Sequence, residues 1–277
     1  MIENNNSLTL VEIQQYLLEI LKAFDAYCVK NGIQYFLSGG SLLGAIRHHG
    51  FIPWDDDVDV MMPRPDYDRF FSLLGNDLIE DRYELVSISN GKSNIPFAKL
   101  LDKKIKIKES VTGMSKYLWI DIFPLDALPE DLTKSNQLLQ KAMRIKYYYS
   151  LATSPIGSGT TKFRAIIKFP FVLYHRWNNR DNKYAKQLVG LCDKNAYDTA
   201  EYIGGITWSC GPCERMRKKE LYPAHRIEFE SITLTISNNY DSYLRKMYND
   251  YMVIPEKSNR KSHRYTAGLS GGRNIQK

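Results

Sequence analysis

An α+β fold, a mixed sheet flanked by helices, follows from three features of this chain. Leu10, Ile13, Leu17, Ile20, Leu21, Phe24 and Cys28 recur at helical spacing until Gly32. Two short strand-like stretches, Ile33 to Ser38 and Asp57 to Met62, bracket a glycine-rich turn and a short helix over Leu42 to His48. Two longer strand-like stretches follow, Phe97 to Glu109 and Tyr117 to Asp126, the first strongly basic and the second almost wholly apolar.

Thr9 and Glu12 have the spacing of a capping box, so the first helix starts there, and its single apolar stripe makes it a brace for the sheet. Ile33, Tyr35 and Leu37 share one strand face. Gly39, Gly40 and Ser41 come next: a glycine pair lets backbone approach a ligand closely, serine is a good N-cap, and a helix N-terminus offers free N–H groups to a phosphate.

Asp55, Asp56, Asp57 and Asp59 then place four carboxylates in five positions. Two unit charges about 4 Å apart at an effective dielectric of about 20 repel by about 4 kcal/mol, a cost that a bound cation removes. On a strand Asp57 and Asp59 project to one side, about 7 Å apart along the chain, while Val58, Val60 and Met62 project to the other. An all-oxygen ligand set favours Mg²⁺ or Mn²⁺ over Zn²⁺.

Pro63 and Pro65 end this strand, and Asp66 is expected to cap a helix through Leu74. Tyr83 to Ser89 reads as a strand. Lys99, Lys103, Lys104, Lys106 and Lys108 make the next one strongly basic, and all but Lys99 suit a solvated edge kept from aggregating. Asp121 lies among apolar residues in Tyr117 to Asp126, and burial of a carboxylate there requires either an ion pair or a metal.

Leu132 to Leu151 reads as a helix and Thr153 to Thr161 as a linker. Lys162 to Trp177 is apolar, aromatic and cationic, broken by Pro170, and too short to span a bilayer. It suits either the membrane interface or a core helix. Cys210 and Cys213 form a lone Cys-x-x-Cys without a second pair, which reads as structural or incidental. Tyr222 to Met252 reads as a hairpin and a short helix, and 257–277 as a flexible tail.

With 277 residues, 43% hydrophobic and 25% charged, the chain suits a sizeable core with an appended subdomain. A net charge of +7 fits an anionic partner. Four cysteines are too few for a disulfide scaffold. No run of 18 apolar residues occurs, and Met1 to Asn6 lacks the plan of a signal peptide, so a cytoplasmic location is expected, with possible placement at the inner face of the membrane.

The run from Ser38 through Gly39-Gly40-Ser41, Arg47 and Trp54 to Asp59, together with Trp119-Ile120-Asp121-Ile122-Phe123-Pro124-Leu125-Asp126, resembles the signature of the LicD family of phosphocholine transferases. That family is related to fukutin and fukutin-related protein and sits in the nucleotidyltransferase superfold. The resemblance extends over about residues 10 to 255, tightly at 37–62 and 117–126. It implies a nucleotidyltransferase-like catalytic domain at 1–152 and a helical and hairpin C-terminal subdomain at 162–256. It further implies transfer of phosphocholine, or a similar phospho-alcohol, from a CDP-activated donor such as CDP-choline to a glycan or teichoic-acid precursor, free or lipid-linked. Asp57, Asp59 and Asp121 become the catalytic and metal-binding set, with Asp121 the superfold's third acidic residue. Gly39, Gly40, Ser41, Arg47, Lys99 and Asp55 become substrate contacts. A conventional nucleotidyltransferase or other small-molecule phosphotransferase using the same seat stays open. A nucleic-acid-binding or membrane-binding module with a calcium site does not fit, because the carboxylates lack the ligand spacing of a calcium loop.

Overall fold

Thr9 and Glu12 form the capping box: Thr9 Oγ1 accepts from the Glu12 amide at 3.3 Å, and Glu12 Oε2 accepts from the Thr9 amide at 2.8 Å. Helix α1 (Leu10–Asn31) runs from this cap to Gly32, whose left-handed φ of 62° closes it. The structure, a computed structural model, describes residues 7–110, 115–155, 162–193, 196–260 and 265–269.

The remaining elements follow in chain order. Strand β1 (Phe36–Leu37), helix α2 (Gly39–His48), strand β2 (Asp59–Pro63) and helix α3 (Arg64–Leu74) form the first part. Strands β3 (Leu78–Ile79), β4 (Tyr83–Val86), β5 (Ala98–Ser110) and β6 (Tyr117–Leu128) complete the main sheet path. Helices α4 (Leu132–Thr153), α5 (Lys162–Asn178) and α6 (Lys183–Val189) come next, then strands β7 (Tyr202–Gly205), β8 (Met216–Arg217), β9 (His225–Phe229) and β10 (Ile232–Ile236). Helix α7 (Tyr240–Tyr248) and strand β11 (Tyr265–Leu269) end the described chain.

The main sheet runs β1-β2-β6-β5-β4-β3, with β11 pairing β5 and β7 joining β6 to β8; β9 and β10 make a separate hairpin. Only the β2·β6 pairing is parallel among the described ladders. The α+β class expected from the sequence is therefore the class observed. Helix α1 lies against β5 and β6, and its Leu17, Ile20, Leu21 and Phe24 are fully buried, as an apolar stripe on one helix face requires.

Several boundaries differ from the sequence reading for physical reasons. Strand β2 starts at Asp59, not Asp57, although pairing continues one step further back where Val58 O accepts from the Asp121 amide at 2.8 Å. Met61 is as buried as Val60 and Met62, so this central strand is covered on both faces instead of alternating. Helix α2 begins at Gly39, three residues earlier than expected. Asp66 does not cap α3; its Oδ1 accepts from the Gln34 amide at 3.1 Å and ties α3 to the entry of β1. Of the linker expected at 153–161, Thr153 ends α4 and 156–161 lie outside the described residues.

The stretch after residue 200 also departs from expectation. Strands β7 and β8 extend the main sheet through β6, so sequence beyond the expected domain boundary contributes to the catalytic-side sheet. Part of the expected flexible tail is structured: Tyr265–Leu269 pairs with β5, and Ala267 O accepts from the Leu8 amide at 2.8 Å. The expected hairpin and short helix at 222–252 are present as β9, β10 and α7. The cysteines are free, as expected for a chain without a disulfide scaffold.

Asp126, the last residue of the second motif, is fully buried and receives Arg64 as a fork, Nε to Oδ1 at 2.6 Å and Nη2 to Oδ2 at 2.9 Å. The pair fastens the first turn of α3 to β6. Asp126→Ala leaves the Arg64 guanidinium buried without its anion and should cost about 3 to 5 kcal/mol in urea unfolding. An unchanged midpoint would show that the pair does not hold α3 in place.

Candidate active site

Register brings the site together. Asp59 on β2 stands opposite Asp121 on β6, and Asp121 stands opposite Lys99 on β5, so three adjacent strands place Asp59, Asp121 and Lys99 in one row across the sheet. The Lys99 Nζ donates to Asp121 Oδ1. Lys99 has no exposure, and its ammonium lies 4.1 Å from the Trp119 ring centroid and 5.3 Å from that of Phe97. Aromatic faces and a carboxylate replace the water this cation has lost.

The electrostatics of the row follow from that burial. Desolvation pushes the Lys99 pKa down, against the pull of Asp121, Asp59 and Asp57. Asp59 is pushed well up, first by burial, then by the like charges of Asp57 and Asp121, with Lys99 opposing and Asp55 adding to the rise. Lys99 therefore feels Asp121, Asp59 and Asp57, while Asp59 feels the like charges of Asp57, Asp121 and Asp55.

The glycine turn lies against these acids. A Cβ on Gly40 would sit 2.8 Å from Asp55 Oδ2, and one on Gly39, whose φ is 52°, would sit 3.2 Å from Asp59 Oδ2. Both glycines are needed because the acidic side chains occupy the space a larger residue would fill. Ser41 Oγ accepts from the Asp59 amide at 2.9 Å, and Asp59 O accepts from the Ser38 amide at 3.1 Å, locking the start of α2 to the start of β2. The amides of the first turn of α2 have no acceptor within the helix, and that of Gly39 donates to the Tyr243 hydroxyl at 3.3 Å.

Arg47 lies in the last turn of α2. Its Nη1 donates to Tyr251 O at 2.7 Å and Val253 O at 3.3 Å, and its Nε to His48 Nε2 at 3.0 Å. It fastens the end of α2 to the segment after α7. Asp55 is held by its backbone, with its amide on Ile52 O at 2.9 Å and Gln14 Nε2 donating to its carbonyl at 2.9 Å.

Several residues of the site were not singled out from sequence. Tyr243 is buried on α7, with its hydroxyl 3.0 Å from Ser38 Oγ and accepting from the Gly39 amide at 3.3 Å. Tyr248, one turn later, has its pKa raised by burial and then by Asp59 and Asp55, and its hydroxyl lies 3.7 Å from where a Gly39 Cβ would be. Glu230, in the β9–β10 turn, accepts from the Phe51 amide at 3.0 Å, and a Cβ on Gly50 would meet its carboxylate at 2.1 Å. All three lie some 180 or more residues from the motif they support, so no local spacing links them to it.

Whether these residues suit a divalent metal can be read from the donors. Asp55, Asp57, Asp59 and Asp121 are all hard oxygen donors, and their mutual repulsion is the cost that a dication removes. Among the described residues no three Asp, Glu, His or Cys groups form a ready-made metal cage.

The family described as LicD/FKTN/FKRP, nucleotidyltransferase domain, matches residues 32–158. The chain is 31% identical over 266 residues to the lipopolysaccharide cholinephosphotransferase LicD of Haemophilus influenzae, covering 92% of this chain and 96% of that protein. It is 47% identical over 49 residues to the ribitol 5-phosphate transferase FKRP of Homo sapiens, covering 18% of this chain and 8% of that protein.

The row predicts a specific coupling. Lys99→Met leaves Asp121 without its cation and should cost about 3 to 5 kcal/mol in chemical denaturation. Adding Asp121→Asn should recover part of that loss, because the anion it left behind is gone. Additive losses in the double variant would mean the two side chains do not form one unit.

Proposed function

Because this chain belongs to the LicD family, we propose that it transfers phosphocholine, or a closely related phospho-alcohol, from a CDP-activated donor such as CDP-choline to a hydroxyl of a glycan. The observation that carries the reading is the row of Asp59, Asp121 and Lys99 beside the N-terminus of α2. A diphosphate needs N–H partners and a cation, which the start of α2 and an ion held by the acidic residues would supply, and the partly exposed Asp121 leaves a route for an incoming hydroxyl.

In this reading the diphosphate lies against Gly39, Gly40 and Ser41, where first-turn amides and the positive end of α2 receive its oxygens. Asp57 and Asp59 would hold Mg²⁺ or Mn²⁺ beside it. When bound, the ion neutralises charge that develops on the bridging oxygens. The acceptor oxygen forms a bond to the choline-side phosphorus, the bond from that phosphorus to the bridging oxygen breaks, and CMP leaves with the bond's electron pair.

Asp121 takes the acceptor's proton. Its side chain keeps 14% exposure, so a hydroxyl can reach it, while Lys99 fixes its orientation from the buried side. Lys99 is thereby a positioning residue: its ammonium is already committed to Asp121 and to two aromatic faces. Arg47 positions as well, since its donors hold the carbonyls of Tyr251 and Val253. The acceptor fits a cell-surface glycan or a teichoic-acid precursor, on a lipid carrier where one is used. A cytoplasmic site, close to the pool of activated donor, suits such a reaction.

The test is release of CMP from CDP-choline with Mg²⁺ and a glycan acceptor. Asp57→Asn and Asp59→Asn should each lower turnover by at least about 100-fold while circular dichroism stays unchanged. Full turnover in either variant would contradict the assignment. With the choline-side phosphorus labelled, label in the glycan supports the reading, whereas a CMP-acceptor adduct would favour ordinary nucleotidyl transfer.

A further inference from the structure

From Leu132 to Arg180, across α4 and α5, the sequence has nine Lys or Arg residues and not one Asp or Glu. The whole chain carries +7, so the rest of the protein is slightly acidic and its positive excess is concentrated in this helical pair. No other stretch of comparable length is so one-sided, and the catalytic row accounts for none of it.

Helix α5 is oriented by its polar and small contacts. Val172 and His175 are buried; His175 stacks on Tyr148 at 4.6 Å, and its Nδ1 lies 2.7 Å from the Tyr184 hydroxyl. Arg176 reaches back to Ala152 O and Ser154 O at 3.4 and 2.7 Å. These contacts turn the opposite face outward. That face carries Ile167, Phe169, Phe171, Leu173, Tyr174 and Trp177, each between 43% and 63% exposed. At 100° per residue these six fall on one arc, interrupted only by Lys162 and Asn178 at the two ends of the helix, with Lys168 and Arg176 outside it. The usual polarity of a surface helix is inverted here.

Beside it opens a groove of about 950 Å³ whose walls include Lys141, Arg144 and Lys183 along with Phe171 and Tyr174. Cations therefore stand next to the aromatic face on the same side of the molecule. No described helix is long and apolar enough to cross a membrane. An apolar aromatic face rimmed by cations suits an interface with the surface of a bilayer, where aromatic rings enter the headgroup boundary and lysines meet anionic headgroups.

We propose that the exposed face of α5 docks this protein on an anionic lipid bilayer. The alternative occupant, a second copy meeting the same face, would bring two cation-rich helical pairs together, with only Asp131 and Asp181 at their ends and Glu214 beside Lys146 to offset them. Charge complementarity therefore selects the bilayer. The proposal stands apart from the catalytic reading, since none of its residues belongs to the Asp59, Asp121 and Lys99 row.

The experiment is flotation of the full chain with vesicles of phosphatidylcholine alone or mixed with phosphatidylglycerol, at 0.1 and about 0.5 M salt, an increase that shortens the screening length roughly twofold. Binding should require phosphatidylglycerol, weaken at high salt, and drop at least about tenfold in F171S/W177S. Those positions are solvent-exposed, so circular dichroism and turnover of soluble substrates should match the unchanged chain, whether or not CDP-choline proves to be the donor. Equal partition onto both vesicle types, or no partition, would overturn the proposal. So would a dimer in sedimentation that F171S/W177S abolishes, which would assign the face to a second copy.

Discussion

Lys99 is an amine with no solvent exposure, and what makes that tolerable is Asp121 directly across the ladder, with two aromatic rings beneath. A buried cation without an anion costs several kcal/mol, so the pairing constrains the register of β5 on β6. The parallel register of β2 on β6 then sets Asp59 beside Asp121. A slip of one residue in either ladder would turn Lys99 or Asp59 to the opposite face and strand a charge in the core. The register of the central strands and the chemistry of the site thus rest on one electrostatic arrangement.

The rest of the chain holds the glycine turn and the acidic segment onto that row. Tyr243 binds Ser38 and Gly39, Glu230 binds the Phe51 amide, Gln14 holds the loop that carries Asp55, and Arg47 closes the end of α2 against residues after α7. Close approach leaves the glycines of the motif no latitude: a Cβ on Gly44 would come within 2.4 Å of Gly50 O. The C-terminal half is therefore part of the site's scaffold as well as a neighbour of it.

What was legible in the sequence was local. The capping box and stripe of α1, the glycine turn, and the acidic segment each follow from spacing within a dozen or so residues. Asp121 was recognisable as a carboxylate needing either a cation or a metal, and the structure supplies Lys99; the two were singled out separately, but their opposition across a ladder is a matter of register that no local spacing encodes. Strand β7 was missed because Gly204 and Gly205 break any alternation, and the reason for glycine emerges only in the fold, where a Cβ on Gly204 would lie 2.9 Å from both Glu214 O and Leu128 Cδ1. Arg47 follows the turn closely in sequence, but the two carbonyls that its Nη1 meets lie some 200 residues away, a link that no local spacing encodes.

The central claim is that Asp57 and Asp59 seat a hard dication next to a diphosphate held by the start of α2. The most direct measurement is anomalous diffraction from crystals of the protein grown with Mn²⁺ and CDP-choline. The account predicts a manganese peak in contact with the Asp57 and Asp59 carboxylates, with the diphosphate against Gly39, Gly40 and Ser41. A peak at another group of acids, or a diphosphate bound away from α2, would contradict it.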